Sequence, residues 1–351
     1  MQELISECKS KKNVVLRADG NSAIGYGHVY RVLAIAETLK GYYNCTLVTQ
    51  ELPEFLRNEA SRIGLSCIQL QGNHYLSKGD INDLREIEFD MTNLLTGNEI
   101  VVTDGYRFGM EYQKNINRLG SKLICIDDLA GFKFYADVVI NHAPGIDESI
   151  YNLSDKTRLL TGLDYLMIRK DFLELPLNKS ARFKPRCVIC MGGADYYNLT
   201  ENILEEVAEA DLDISFEVIY SHSYKRSSIE KLFDLQAIYG DRISLRSNLN
   251  SSEIISIFDS CTHALISAST ISLECIARKI MPLVGFYTAN QCLLYQGLIG
   301  TDLAIGAGDL RKRDNFKTIA TEYLSMDRPL EISLKNNIRN IFDEFDITTR
   351  F

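Results

Sequence analysis

In the stretch AIGYGHVYR, residues 23–31, His28 follows Gly25 and Gly27 and opens a helical pattern just after the apolar run VVLRAD at 14–19. A neutral imidazole can accept a proton near pH 7, so a histidine at a strand–helix turn is a candidate general base. The partial positive charge of a helix N-terminus disfavours a second positive charge on such a ring. The same spacing also suits a histidine that only caps its own helix. A dinucleotide-binding turn fits less well. Its GxGxxG pattern needs a third glycine where this chain has Tyr30, and the strand ending in LVTQE offers only Glu51 as a ribose acid.

Other polar residues recur at the ends of apolar runs. CMGGAD places Gly192 and Gly193 where backbone N–H groups can approach a phosphate, or where a strand simply turns into a helix. ISASTISLEC carries Ser267, Ser269, Thr270 and Glu274. Its hydroxyls can cap a helix or hold phosphate oxygens, and its carboxylate can suit the helix dipole or accept two ribose hydroxyls. GFYTANQ sets Asn290 and Gln291 behind a further strand. TDGYR supplies Asp104, Tyr106 and Arg107, and IDD supplies Asp127 and Asp128. Neighbouring acids on an extended chain point apart, and no third ligand stands at metal spacing, so no metal site is expected. His142 in INHA ends another strand and can line a cleft, whereas His74, His222 and His263 read as structural.

The elements that must hold these groups follow from periodicity. Runs such as NVVLRAD, CTLVTQ, LSCIQL, EIVVTDG, KLICIDD and ADVVINHA read as buried strands. Between them lie helical patterns: VYRVLAIAETLK with Val32, Leu33, Ala36 and Leu39 on one face, DINDLREIEFDMTNLLTG closed by Gly97, and a helix over 110–119. Strands rich in Val and Ile that alternate with amphipathic helices imply an α/β fold with a parallel sheet covered on both faces. The pattern restarts after LPLNKSARFKP at 175–185, with CVICMGGAD, ISFEVIYS, ISLRSN, HALISA and MPLVGFY as strands. NLTENILEEVAEA opens a helix that Asn198 and Glu201 are spaced to cap, and LEISLKNNIRNIFDEF reads as a long terminal helix. Two Rossmann-like domains result, 1–180 and 181–351, the last helix being free to pack back on the first. Ligands of such sheets bind at the carboxyl ends of the strands, so the cleft between the domains is the expected site.

At 351 residues the chain exceeds the size at which one core usually splits, in keeping with two domains. A net charge of −9 argues against broad nucleic-acid binding, which needs clustered Lys and Arg. No apolar run approaches the roughly 20 residues that span a bilayer, and MQELISECKSKKN lacks a signal-peptide core. Nine scattered cysteines then suggest reduced thiols in the cytoplasm. Cys187 and Cys190 have CxxC spacing, but on a strand that offset points them to opposite faces.

Taken in order, RADGNSAIGYGHVYRVLAIAETL, TDGYR, IDD, INHAPG, YLMIRKDF, CMGGADYYNLT, ISASTISLEC and GFYTANQ resemble the PseG-type nucleotide-sugar hydrolases of pseudaminic acid biosynthesis, over about residues 14–292. The resemblance implies a GT-B-like fold, with parallel sheets facing an interdomain cleft. It implies the substrate UDP-2,4-diacetamido-2,4,6-trideoxy-β-L-altropyranose, from which water at the anomeric carbon releases UDP, with neither metal nor cofactor. It makes His28 the catalytic base. Tyr106 then serves the sugar, Glu274 the ribose and Asn290 the phosphates. Gly25, Gly27, Arg31, Asp104, Gly192, Gly193, Ser267, Ser269, Thr270 and Gln291 complete the expected substrate-binding set. The family's DHYG stands here as DGYR, with Gly105 replacing its histidine. A glycosyltransferase of the same fold would put a sugar hydroxyl in place of the water. A nucleotide-sugar-binding protein without activity would have no use for His28.

Overall fold

A computed structural model describes residues 11–21, 24–71, 86–174, 184–193, 195–210, 212–221, 223–326, 332, 334 and 337–348. His74, His222 and most of the 175–185 stretch lie outside them. The first half contains β1 (Asn13–Ala18), α1 (Gly27–Leu39), β2 (Asn44–Thr49), α2 (Glu54–Ile63), β3 (Ser66–Gln69), β4 (Ile100–Asp104) and α3 (Met110–Arg118). It continues with β5 (Lys122–Ile126), β6 (Lys133–Phe134), β7 (Val138–Asn141), β8 (Asn152–Leu153) and β9 (Arg158–Thr161). Seven strands form a parallel sheet in the order β3-β2-β1-β4-β5-β7-β9, while β6 and β8 pair separately.

In the second half come β10 (Arg186–Cys190), α4 (Leu199–Ala208), β11 (Ser215–Ile219), α5 (Arg226–Tyr239), β12 (Ile243–Arg246) and α6 (Ser251–Ser260). Then follow β13 (His263–Ser267), α7 (Thr270–Ala277), β14 (Leu283–Phe286), α8 (Cys292–Gly300), β15 (Ile305–Asp309), α9 (Phe316–Leu324) and α10 (Ile338–Thr348). Its six-stranded sheet is also parallel, in the order β12-β11-β10-β13-β14-β15. Strand order reverses between β1 and β4 in one sheet and between β10 and β13 in the other. Those reversals are where loops part and leave a crevice. They position His28 and Asp104 in one half, and Gly192 and Ser269 in the other.

Burial explains why α1 is so firmly held. Val29, Val32, Leu33, Ala36 and Leu39 pack on the sheet, and burying each large apolar side chain stabilises by about 1.5–3 kcal/mol. The outer face is covered as well, because Ile338, Ile341 and Phe342 of α10 join the same core. Leu166, Ile168 and Phe172 pack instead with Val188 and Ile266 in the second half. The chain therefore crosses between the halves twice, and the crossings are bonded to each other: the Asn337 N–H donates to the Asp164 carbonyl at 2.8 Å.

Four sequence expectations change. Residues 86–97 form turns and irregular chain rather than the end of a helix, and residues 80–85 lie outside the described set. Gly97 serves a close approach: its φ is +94°, and a Cβ there would collide with the Leu119 carbonyl. Asn198 does not cap α4 through its side chain; the Asp195 carboxylate does, accepting the Leu199 and Thr200 N–H groups at 2.8 and 2.7 Å. The terminal helix begins only at Ile338. An edge strand, β15, escaped notice because the two glycines in IGAGD weaken its strand pattern. As the offset requires, Cys187 and Cys190 enter different core clusters.

Candidate active site

Both reversals open onto one cleft of about 1130 Å³ between the halves. On the first side, α1 starts into the cleft with no side chain capping its N-terminus. His28 sits in that first turn, only 9% exposed, and its Nδ1 lies 2.6 Å from Oδ1 of Asp104 at the end of β4. A carboxylate can only accept, so Nδ1 carries the proton and Nε2 keeps its lone pair. His28 borders the cleft, and its Nε2 has no hydrogen-bond partner among the described residues. The Tyr106 ring meets His28 edge-on with centroids 4.6 Å apart and fixes the imidazole plane.

Arg31 stands three residues after His28, on the same helix face. Its Nε and Nη2 donate to the two oxygens of Asp104 at 2.8 and 2.6 Å, and Nη1 donates to Asp128 at 2.7 Å. Although it borders the cleft, its donors are spent inward, on aspartates rather than on a ligand. Burial pushes Asp128 up, but the Arg31 guanidinium more than offsets this and draws it down to about 2. Tyr106 donates to Asp128 at 3.0 Å, and burial and that carboxylate hold its hydroxyl well above the usual phenol range. The Asn290 side chain bonds the same hydroxyl from the opposite half.

Asp127, next in the chain to Asp128, faces away from this network. Its Oδ2 accepts the Leu129 and Ala130 N–H groups at 2.9 and 2.6 Å and the Tyr151 hydroxyl at 3.1 Å. It thereby shapes the turn that presents Asp128. Burial lifts Asp127 from 3.8 to about 6. A raised acid binds its proton more tightly in the folded state, so its contribution to stability falls as pH climbs through that window. Asp127→Asn keeps an acceptor for all three donors and removes the titration. Relative to the parent it is expected to gain about 2–3 kcal/mol between pH 4 and pH 7, read by urea unfolding. A difference that stays level across that range would refute the assignment.

On the second side, α7 also begins at the cleft without a side-chain cap, and Ser269, Thr270 and Ile271 line the opening. Gly192, at φ +91°, turns the chain out of β10. The carbonyls of Gly192 and Gly193 are held by the hydroxyls of Tyr224 and Ser223 at 2.8 and 2.6 Å. Gly27 and Gly193 have no positive φ; a Cβ on Gly27 would meet nothing within 4 Å, and one on Gly193 only Tyr26 at 4.0 Å. Both border the cleft, so the space a side chain would fill belongs to the cleft. Gly25, at φ +77°, needs its glycine for the turn itself.

Two expected residues are placed differently from the rest. Ser267 is fully buried and lies outside the cleft lining, 3.1 Å from the Ser269 hydroxyl, because it still belongs to β13. Gln291 borders the cleft, yet its carbonyl is used by the Tyr287 N–H at 2.9 Å. Glu274 is held from the interdomain segment: Nε and Nη2 of Arg169 donate to its two oxygens, each at 2.7 Å. Arg169 also lies over the rings of Phe172 and Tyr30. Its role went unread, since an arginine after the apolar YLMI has no local signature. Gly105, where the DHYG pattern has its histidine, has a φ of +154°, and a Cβ there would press on the Phe108 ring at 2.9 Å.

The fold is that of the GT-B glycosyltransferases, two Rossmann-like domains facing a cleft. The solved structure of Acinetobacter baumannii MurG is similar at TM-score 0.56 and 14% identity, covering 96% of this chain and 99% of that one. A UDP-glucosyltransferase from Polygonum tinctorium gives TM-score 0.58 at 10% identity, over 90% of each chain. No protein-family model matches the chain. Among curated sequences it is 22% identical to the UDP-2,4-diacetamido-2,4,6-trideoxy-β-L-altropyranose hydrolase of Campylobacter jejuni, across 79% of this chain and 93% of that protein. It is 26% identical to an uncharacterized protein of Methanocaldococcus jannaschii, across 68% of this chain, and spans 48% of that protein's length. No described helix is long and apolar enough to cross a membrane.

Proposed function

We propose that the protein is a UDP-sugar hydrolase acting on UDP-2,4-diacetamido-2,4,6-trideoxy-β-L-altropyranose, the substrate class of its Campylobacter relative. The observation that carries this reading is His28 at the cleft, with Nδ1 tied to buried Asp104 and Nε2 without a partner among the described residues. In this reading Nε2 takes a proton from water as the water oxygen bonds to the anomeric carbon. The bond from that carbon to the diphosphate oxygen breaks, and its electron pair leaves with UDP. Charge growing on the diphosphate is met by the uncapped start of α7, by Ser269 and Thr270, and by the backbone at Gly193. Asn290 reaches the phosphates from the same side. Glu274, oriented by Arg169, accepts from the ribose. Because UDP leaves without strong protonation, one base suffices and no second catalytic carboxylate is required. Asp104 and Tyr106 hold the base, and Arg31 holds Asp104.

The test is UDP release from this nucleotide sugar with EDTA present and no acceptor, followed by phosphorus NMR. Steady release is expected, with free sugar in equal amount. Release only after an acceptor glycan is added would make the protein a transferase, with a sugar hydroxyl in the water's place. No release in either case would leave a binding role or another nucleotide sugar.

A further inference from the structure

His142, at the end of β7, has no part in the chemistry above, yet it borders the same cleft and is only 2% exposed. The Met167 N–H donates to its Nδ1 at 3.3 Å, so Nδ1 holds a lone pair and the proton of the neutral ring sits on Nε2. Burial first, and then Arg31, lower its pKa to about 4, against the opposing pull of Asp128 and Asp104. The ring is thus uncharged at neutral pH. Its outer N–H has no acceptor among the described residues. The nearby carboxylates are already engaged, Asp104 by His28 and Arg31, Asp128 by Arg31 and Tyr106. With the protein's own acceptors taken, that donor is available to water or to a ligand in the cleft.

We infer that His142 is a specificity-determining residue whose Nε2–H donates to an uncharged oxygen of the sugar, an acetamido carbonyl or a hydroxyl. A phosphate is the wrong partner here. The uncapped start of α7 lies on the opposite half, and a neutral imidazole beside two carboxylates is matched to a neutral acceptor. The assignment rests on the hydrolase reading for the identity of that sugar.

The test compares two near-isosteres in a His28→Ala background, where the nucleotide sugar survives titration. The asparagine amide of His142→Asn reaches only as far as Nδ1, so it keeps the Met167 contact and lacks the outer donor. His142→Gln places an amide N–H where Nε2 was. By calorimetry, His142→Asn is expected to weaken the UDP-sugar about tenfold or more and to leave UDP unchanged, as loss of one buried hydrogen bond would. His142→Gln is expected to stay within about threefold of the parent on the same scale. Equal losses for UDP and UDP-sugar would mean a structural role and overturn the assignment, as would an unchanged UDP-sugar affinity in His142→Asn. If the parent itself bound the UDP-sugar no better than UDP, the substrate reading would fall and the assignment with it. Repeating the titration with a 4-amino analogue separates the acceptors, since the asparagine penalty vanishes if the 4-acetamido carbonyl is the partner and persists if another oxygen is.

Discussion

Replacing His28 by alanine is expected to lower kcat for UDP release by about 10²–10⁴-fold, the usual worth of a positioned general base. UDP affinity should hold. The ring is 9% exposed, and its Nδ1 contacts Asp104 at 2.6 Å and Arg31 Nη2 at 3.1 Å. Removing it therefore takes away the proton acceptor without touching the nucleotide side of the cleft. UDP binding can be read by calorimetry alongside turnover. Substantial turnover in His28→Ala would transfer the base to another group and break the central assignment. A variant that lost UDP binding as well would instead point to collapse of the α1 turn.

The second large effect concerns stability. Arg31→Met is expected to destabilise the fold by about 3–5 kcal/mol, because it strands buried carboxylates rather than merely removing a contact. Asp104 has a fully buried side chain and the Asp128 side chain is 16% exposed; both lean on the one guanidinium. Lysine would not substitute well, since a single ammonium cannot present the planar fork that reaches both acids. Thermal and urea unfolding of Arg31→Met would read the loss. A change below about 1 kcal/mol, the scale of an exposed ion pair, would contradict this account of the network. Adding Asp104→Asn and Asp128→Asn should recover much of the stability and none of the activity.

The buried strands were legible because parallel strands covered on both faces are almost wholly Val, Ile, Leu and Cys, as in IVVTD and KLICI. The chemistry-bearing turns were legible for the same reason, each following such a run. What escaped was whatever depends on groups far apart in sequence. Arg31 reads as a ligand contact until Asp104 and Asp128, 73 and 97 residues on, are seen to claim it. Glu274 reads as a ribose acceptor or a dipole-favoured acid, and nothing local shows that Arg169 holds it from 105 residues away. The irregular 86–97 stretch carries helical periodicity, but its tertiary neighbours overrule it: Ile87 N–H bonds the Arg107 carbonyl, and Gly97 packs on the α3 terminus. Ser267 and Ser269 differ by two residues, yet only Ser269 borders the cleft, since β13 ends at Ser267.

The doubled crossing between the halves, stitched at Asp164 and Asn337, has a mechanical consequence. A single tether would let the two lobes swivel freely. A second crossing bonded to the first restrains that swivel, because the two segments must move together at Asp164 and Asn337. Any widening of the gap that preserves the stitch must then pivot near that pair.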